Sequence, residues 1–502
     1  MLDRSKMLWF GRPPSNDDFR ETRNRGLTLE VVDLGTPPDF RHACAAVFWA
    51  SNQHFVSVAE LLEENLVQAV NEGLYLHIVV ANDGQRQDID RVLDQLLPPG
   101  APRDRHRLRV LPVDFHEAPN AALLHVSGPA ANSRLLVHLP DGVTLQDDQR
   151  FLLRRAFSDC KSISLRLINS GKSGALTFLV DATLAVSNAG LRPQPYFAKL
   201  GETQELREEL QKYETYAEHH IAWNLRPNFQ RARCIYGVKQ SVLVGNFVQS
   251  SLSLWDVART GEGPAHIRTL FEETLSVWRN EAKRWPLEQP GAIVAPLEAF
   301  CRYSRVSSIR VEAAKVHGGV VHPARSLWRK LLDLPHQHWL HSSIHGDMHG
   351  ENVRVRKQDA IVIDFAHSTS GPMCADLASL EVWLAFKVPP DETSTREEWR
   401  KRLEELYRPD LVDEALSTTA PEAPNNWVQD CLREIRRIAG ASTEGADEYK
   451  RVLAVCLLRH ASFPPDEGCE EEDEYRRTYS YWLANRMVDA LCAAASWQLE
   501  AV

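Results

Sequence analysis

The sequence lacks paired cysteine spacing. Its nine cysteines fall at Cys44, Cys160, Cys234, Cys301, Cys374, Cys431, Cys456, Cys469 and Cys492, with no CxxC among them. An odd, scattered set argues against a disulfide framework or a zinc knuckle, and the expectation is reduced thiols in a cytoplasmic protein. No apolar run approaches the roughly 20 residues that cross a bilayer, and Met1–Pro14 is too polar for a signal peptide. No membrane association is expected. Positive charge is not in excess either: 58 Lys and Arg against 68 Asp and Glu leave a net charge of -10. That balance gives a nucleic-acid partner no support. The Gly-rich dinucleotide fingerprint is missing, which excludes a nicotinamide enzyme of that type. A Walker motif is also missing, because the Gly required five residues before Gly171-Lys172 is Arg166.

What remains is ordinary globular material, 43% apolar and 25% charged over 502 residues. At about 150 residues per domain this suggests roughly three domains. Residues 1–26 are polar and rich in Arg and Asn, and read as a loosely ordered tail. Residues 27–155 alternate short β-branched runs with helical stripes, which predicts an α/β module with a parallel sheet of the receiver or flavodoxin-like kind, or another Rossmann-like module. Asp33 and Asp83 are its candidate acids, and no Lys appears around Leu135–Gly142 to complete a receiver set. Residues 156–247 read as strands with one charged helix, and residues 248–502 as mostly helical. Ser417–Asn426 and Pro464–Glu474 are expected to be surface loops.

One stretch concentrates the chemistry. His345-Gly346-Asp347-Met348-His349-Gly350-Glu351-Asn352 is followed twelve residues later by Asp364, at the end of the apolar run Ile361-Val362-Ile363. Phosphoryl transfer needs a carboxylate to orient or deprotonate a hydroxyl, and hard oxygen ligands for Mg²⁺. Asp347 on a Gly-flanked loop, the Asn352 amide and the Asp364 carboxylate supply these. Taken singly, Asp347 is an ordinary turn Asp and Asp364 an ordinary strand-end Asp; the ordered set points to function. His338, His341, His345 and His349 include an i, i+4, i+8 series that on one helix would make a zinc face. The glycines at 346 and 350 argue against that helix.

HGDxxxxN followed by IDF resembles the aminoglycoside phosphotransferase and choline kinase group, relatives of the protein kinases. Gly371-Pro372 and Asp376-Leu377-Ala378 match that group's continuation. The ordering also resembles the kinase-like branch called ternary complex-associated domains, found in bacterial signalling and conflict systems. The resemblance covers about residues 160–500. It implies an α+β bilobal kinase-like domain, with a small lobe over 156–247 and a helical large lobe over 248–502. It implies ATP and Mg²⁺ as cofactors, Asp347 as the catalytic carboxylate, Asn352 and Asp364 as metal ligands, and His345 and Asp376 as structural supports of the loop. Gly171, Lys172, Ser173 and Gly174 would form a phosphate-covering hairpin. Lys199 would be the phosphate-binding lysine. Its carboxylate partner is open among Glu205, Glu208, Glu209 and Glu214, with Glu209 fitting the pattern best. The position after Asp364-Phe365 is Ala366 rather than Gly, and the acceptor region is unrecognisable, although Trp383 and C-terminal aromatics could line it.

The expected function is therefore an ATP- and Mg²⁺-dependent phosphotransferase acting on a hydroxyl of a small molecule or protein. The alternative is a catalytically inactive nucleotide-binding scaffold in a bacterial signalling or defence complex. In either case the N-terminal module is expected to bind a protein partner rather than to supply catalytic residues.

Overall fold

The fold is that of a computed structural model. It describes residues 6–24, 27–32, 37–50, 55–97, 108–112, 129–170, 175–186, 190–237, 239–388, 395–417, 426–444, 446–465 and 468–500. The chain divides into two compact units, Met1–Glu208 with Asn228–Gln249, and Glu209–Pro227 with Ser250–Val502.

The first unit carries two sheets. Strands β1 (Lys6–Gly11), β2 (Thr28–Val31), β3 (Ala43–Ala50), β4 (Tyr75–Val80) and β5 (Leu108–Pro112) form one, in the order β2-β1-β3-β4-β5. Every pairing is parallel. Strands β3 and β4 are buried along their whole length, which is why they read as unbroken apolar runs rather than as alternation. The helix Phe55–Asn71 lays Val58, Leu61, Leu62 and Leu66 into the core on Phe10 and Phe48. Asn82 caps the helix Asp83–Leu96, its side chain accepting the Gln85 N–H at 2.9 Å.

Two expectations need correcting here. The loosely ordered tail contains β1, whose Met7–Phe10 are fully buried between β2 and β3. A run of four apolar residues among charges was too short to read, and its partner β3 comes more than thirty residues later. Counting β1 also moves Asp83 from the end of the third strand to the end of the fourth, away from a receiver's phospho-acceptor position. Asp33 lies outside the described residues.

The second sheet runs β10-β11-β9-β8-β7-β6, with β6 (Leu136–His138), β7 (Cys160–Ser170), β8 (Leu176–Leu184), β9 (Tyr196–Glu202), β10 (Ile235–Tyr236) and β11 (Gln240–Asn246). It is antiparallel except for β6, which pairs parallel with β7. Residues 135–139 therefore serve this sheet and not the N-terminal one. The helix Asp147–Ala156 joins the same core through Leu152 and Leu153.

The second unit is mostly helical, with two small sheets. Strands β12 (Leu252–Ser253), β15 (Val353–Arg356) and β16 (Asp359–Val362) form one. Strands β13 (Lys283–Trp285), β14 (Trp339–Ile344) and β17 (Thr369–Pro372) form the other. The β15–β16 hairpin closes at Lys357 and Gln358, with Arg356 opposite Asp359. Pro464–Glu474 is not wholly a loop, because the helix Glu470–Glu500 starts inside it. Its four leading acids sit where a helix N-terminus favours negative charge, and Arg396 pairs with Glu471 and Glu472. Residues 418–425 lie outside the described residues. Among the described residues no helix is long and apolar enough to cross a membrane.

Candidate functional site

The loop 345–352 leaves the end of β14 and enters β15. Its shape depends on small residues. Gly346 has φ +75°, and a Cβ there would meet the His367 carbonyl oxygen at 2.3 Å. Gly350 lies against Trp383, whose ring would meet a Cβ at 2.6 Å.

Asp376 holds the loop from behind. Its carboxylate accepts the backbone N–H of His345 at 2.6 Å and that of Gly346 at 3.0 Å. Burial raises its carboxyl above the ordinary value, and His345 with the two N–H donors pulls the other way. His345 is fully buried. Its Nε2 donates to the Ile363 carbonyl at 3.0 Å, while Nδ1 accepts the Asp347 N–H at 3.3 Å. One tautomer thus ties the loop to the strand leading to Asp364. Phe365 packs edge-on against His345 and Tyr213, and Lys212 Nζ donates to the Ala366 carbonyl at 2.7 Å.

Asn352 closes the other side. Its side-chain N–H donates to the Asp347 carbonyl at 3.0 Å, and its own carbonyl accepts the Ile363 N–H at 2.9 Å. With the amide nitrogen bonded to the loop, the amide oxygen is the Asn352 atom that could hold a metal ion. Asp364 is exposed and adopts φ 62°, a left-handed conformation that Asp tolerates better than most residues. Among the described residues there is no cluster of three or more His, Cys, Asp or Glu able to hold a metal ion. A pair of hard oxygen donors, Asn352 and Asp364, fits Mg²⁺ that takes its other ligands from phosphate and water.

Asp347 was expected to be the catalytic carboxylate on a Gly-flanked loop, and no charged partner was foreseen for it. Arg459 Nη2, near the end of the helix Ala446–His460, instead donates to its Oδ1 at 2.8 Å. His349 Nε2 stands 3.7 Å from Oδ2. Burial raises the Asp347 carboxyl, but Arg459 and then His349, His367 and His345 outweigh it and bring it down to about 2. The side chain remains 31% exposed, so a substrate can still reach it. His349 stacks on Trp383 with ring centroids 5.5 Å apart, and burial lowers its pKa. Arg459 was missed by sequence reasoning. The available signal was a guanidinium closing the apolar run Val452–Leu458, which demands a buried carboxylate partner.

The histidine series is dispersed. His341 lies on β14, His338 precedes that strand and bonds the Pro286 carbonyl, and His345 and His349 belong to the loop. Lys199 lies on β9 of the first unit, opposite Thr177 and Leu243, and is half-buried. Glu209 begins the second unit's first segment. Of the four carboxylates weighed as its equivalents, Glu209 is buried while Glu205, Glu208 and Glu214 are exposed. Strands β7 and β8 pair as the expected hairpin, with Ser170 opposite Leu176, but Gly171, Lys172, Ser173 and Gly174 lie outside the described residues.

Residues 297–461 match the family model Ternary complex associated domain 9. The matched segment contains Asp347, Asn352, Asp364, Asp376 and Arg459. No curated protein matches the chain. Solved structures with a similar fold include the amicoumacin kinase hAmiN in complex with AMP-PNP, Ca²⁺ and Ami, at 11% identity and TM-score 0.34, over 71% of this chain and 91% of that one. An aminoglycoside phosphotransferase from Streptomyces rimosus matches at 16% identity and TM-score 0.31, over 58% and 96%. A Plasmodium vivax ethanolamine kinase matches at 12% identity and TM-score 0.32, over 65% and 81%. The resemblance expected from the HGDxxxxN motif is found to a ternary complex associated domain over residues 297–461, and the solved structures that match are those of small-molecule kinases.

Proposed function

We propose that the protein is an ATP- and Mg²⁺-dependent phosphotransferase acting on a hydroxyl. The observation that carries this reading is the loop itself. Asp376 grips its start through two backbone N–H groups, Asn352 bonds the Asp347 carbonyl, and Ile363 links Asn352 to the strand that ends at Asp364. Three oxygen-bearing side chains are thereby held on one rigid assembly, as positioning-dominated catalysis requires. Asp347 orients the acceptor hydroxyl and takes its proton as the acceptor oxygen bonds to the γ-phosphorus and the bond to the ADP oxygen breaks. Asn352 and Asp364 hold Mg²⁺, whose charge offsets that of the phosphates. Lys199 binds nucleotide phosphates, with Glu209 as its steadying carboxylate and Gly171–Gly174 covering them. In this reading the second sheet with its helix is the small lobe and the helical unit the large lobe. The N-terminal sheet has the strand order of flavodoxin-like modules, which supports a partner-binding module of that kind.

The test is turnover of ATP by the full chain with hydroxyl acceptors from a cell extract, phosphorylated products being identified by mass spectrometry. Asp347→Ala and Asp364→Asn should both abolish transfer. Equal activity in all three proteins refutes the assignment.

A second reading is favoured by the Arg459–Asp347 ion pair, which engages the would-be base. A non-catalytic nucleotide-binding scaffold in a bacterial signalling or defence complex would bind Mg²⁺-nucleotide and phosphorylate nothing, including itself.

A further inference from the structure

Cationic charge gathers around Asp347 beyond what one carboxylate neutralises. Arg459 is 7% exposed, and its guanidinium lies 3.8 Å from the centre of the Phe300 ring and 5.4 Å from that of Phe463. A planar guanidinium offers five donors in a fork. One meets Asp347, and the buried Nε has no hydrogen-bond partner among the described residues. A buried donor left unpaired is destabilising. The Arg459 guanidinium therefore has donor capacity beyond its bond to Asp347.

The short helix Glu298–Cys301 brings more charge to the same place. Phe300 touches Arg459, and the Cys301 thiol is tied to the Val455 carbonyl on the helix that carries Arg459. The next residue, Arg302, turns into the left-handed region at φ 51°, a strained choice for a residue other than Gly, Asn or Asp. Arg302 is half-buried and Arg305 exposed, and neither side chain makes an ion pair or hydrogen bond among the described residues. Arg302 feels Arg305 and Arg459 as like charges and Asp347 as an opposite one. Arg459 thus meets Asp347 directly, with His349, His367 and His345 acting on the same carboxylate, and Arg302 follows the short helix whose Phe300 covers Arg459.

We propose that the acceptor carries an oxyanion, a carboxylate or phosphate near its hydroxyl, and that Arg459 leaves Asp347 to grip it, with Arg302 beside it. This rests on the reading of Asp347 as the acceptor-side carboxylate and adds the substrate class. Bidentate recognition by Arg459 uses the donor that now lacks a partner. The exchange also frees Asp347 to accept a proton only when acceptor is present, so Arg459 is a specificity-determining residue.

The probe is inorganic phosphate, with acetate in parallel, titrated into the full chain at constant ionic strength against chloride. Binding is read from ligand-dependent thermal stabilisation, and circular dichroism checks each variant's fold. Wild-type protein should be stabilised by phosphate or acetate beyond chloride, and the better of the two tells which oxyanion the site prefers. Arg459→Gln should weaken binding about tenfold or more, and Arg302→Gln should weaken it several-fold. Asp347→Asn removes the competing carboxylate and should tighten binding, which a purely structural ion pair would not produce. Lys199→Met reports on the nucleotide site, so stabilisation that survives in this variant belongs to the arginines. No stabilisation beyond chloride overturns the proposal, as does binding indifferent to both arginine variants. Binding lost in Lys199→Met but kept in Arg302→Gln assigns the anion to the nucleotide site and also overturns it. Arg302→Gln keeps the test decisive if Arg459→Gln does not fold. The readout needs no ATP, so a protein that binds the anion here yet transfers no phosphoryl group loses the transferase reading and keeps this site.

Discussion

The side-chain amide of Asn352 donates to the main-chain carbonyl of Asp347 at 3.0 Å, so the proposed metal-binding amide and the proposed catalytic carboxylate share one hydrogen-bonded turn. Moving either residue moves the other. Asn352→Ala removes both the bond and the amide oxygen. It should cost about 1 kcal/mol of stability. It should also weaken Mg²⁺-nucleotide binding, measured by calorimetry with a non-hydrolysable ATP analogue. Full retention of that binding would remove Asn352 from the metal site.

Asp347 sets a pH dependence. Its carboxyl falls from an ordinary 3.8 to about 2 in the folded chain. A carboxyl with a depressed folded pKa contributes stability that is present above the unfolded pKa and lost as pH falls through the folded one. At about 1.4 kcal/mol per unit, the contribution is about 2 kcal/mol, fading between pH 5 and pH 2. Urea unfolding across this range should show wild type losing more stability than Asp347→Asn. Parallel pH profiles would contradict the Arg459 pairing.

Asp364 sits at φ 62°, which an alanine adopts at a cost of roughly 1–2 kcal/mol. Asp364→Ala should therefore lower the melting temperature, whereas Asp364→Asn, which tolerates the same conformation, should not. Both should lose Mg²⁺-dependent transfer. If Asn restores activity, the carboxylate charge is not needed at this position.

The second sheet begins earlier in the chain than its long strands suggest. A fragment starting at Phe151 lacks β6, the buried Leu135 and Leu145, and the capping box at Gln146. A fragment starting at Pro129 keeps them. Each lost leucine contributes about 1.5–3 kcal/mol, so the shorter fragment should melt markedly lower by calorimetry. Equal melting temperatures would show β6 to be dispensable.

The candidate site was legible where its residues are close in sequence. The glycines, Asp347 and Asn352 shape one loop, and the hairpin of β15 and β16 returns the chain to Asp364 by short-range turn chemistry. Such spacing constrains geometry without knowledge of the rest of the fold. The apolar runs of β3 and β4 likewise announced a sheet buried on both faces. Strand β1 did not announce itself, because four apolar residues form a strand only once β2 and β3 flank them.

The amino-acid sequence by itself determined the loop, its oxygen donors and the parallel character of the N-terminal sheet, since each follows from local spacing and patterning. Tertiary structure decided which charges meet. Arg459 lies 112 residues from Asp347 in the chain, and it is the tertiary fold that brings the two to 2.8 Å. Electrostatic interaction depends on distance in space and on burial, and neither can be read from a sequence interval.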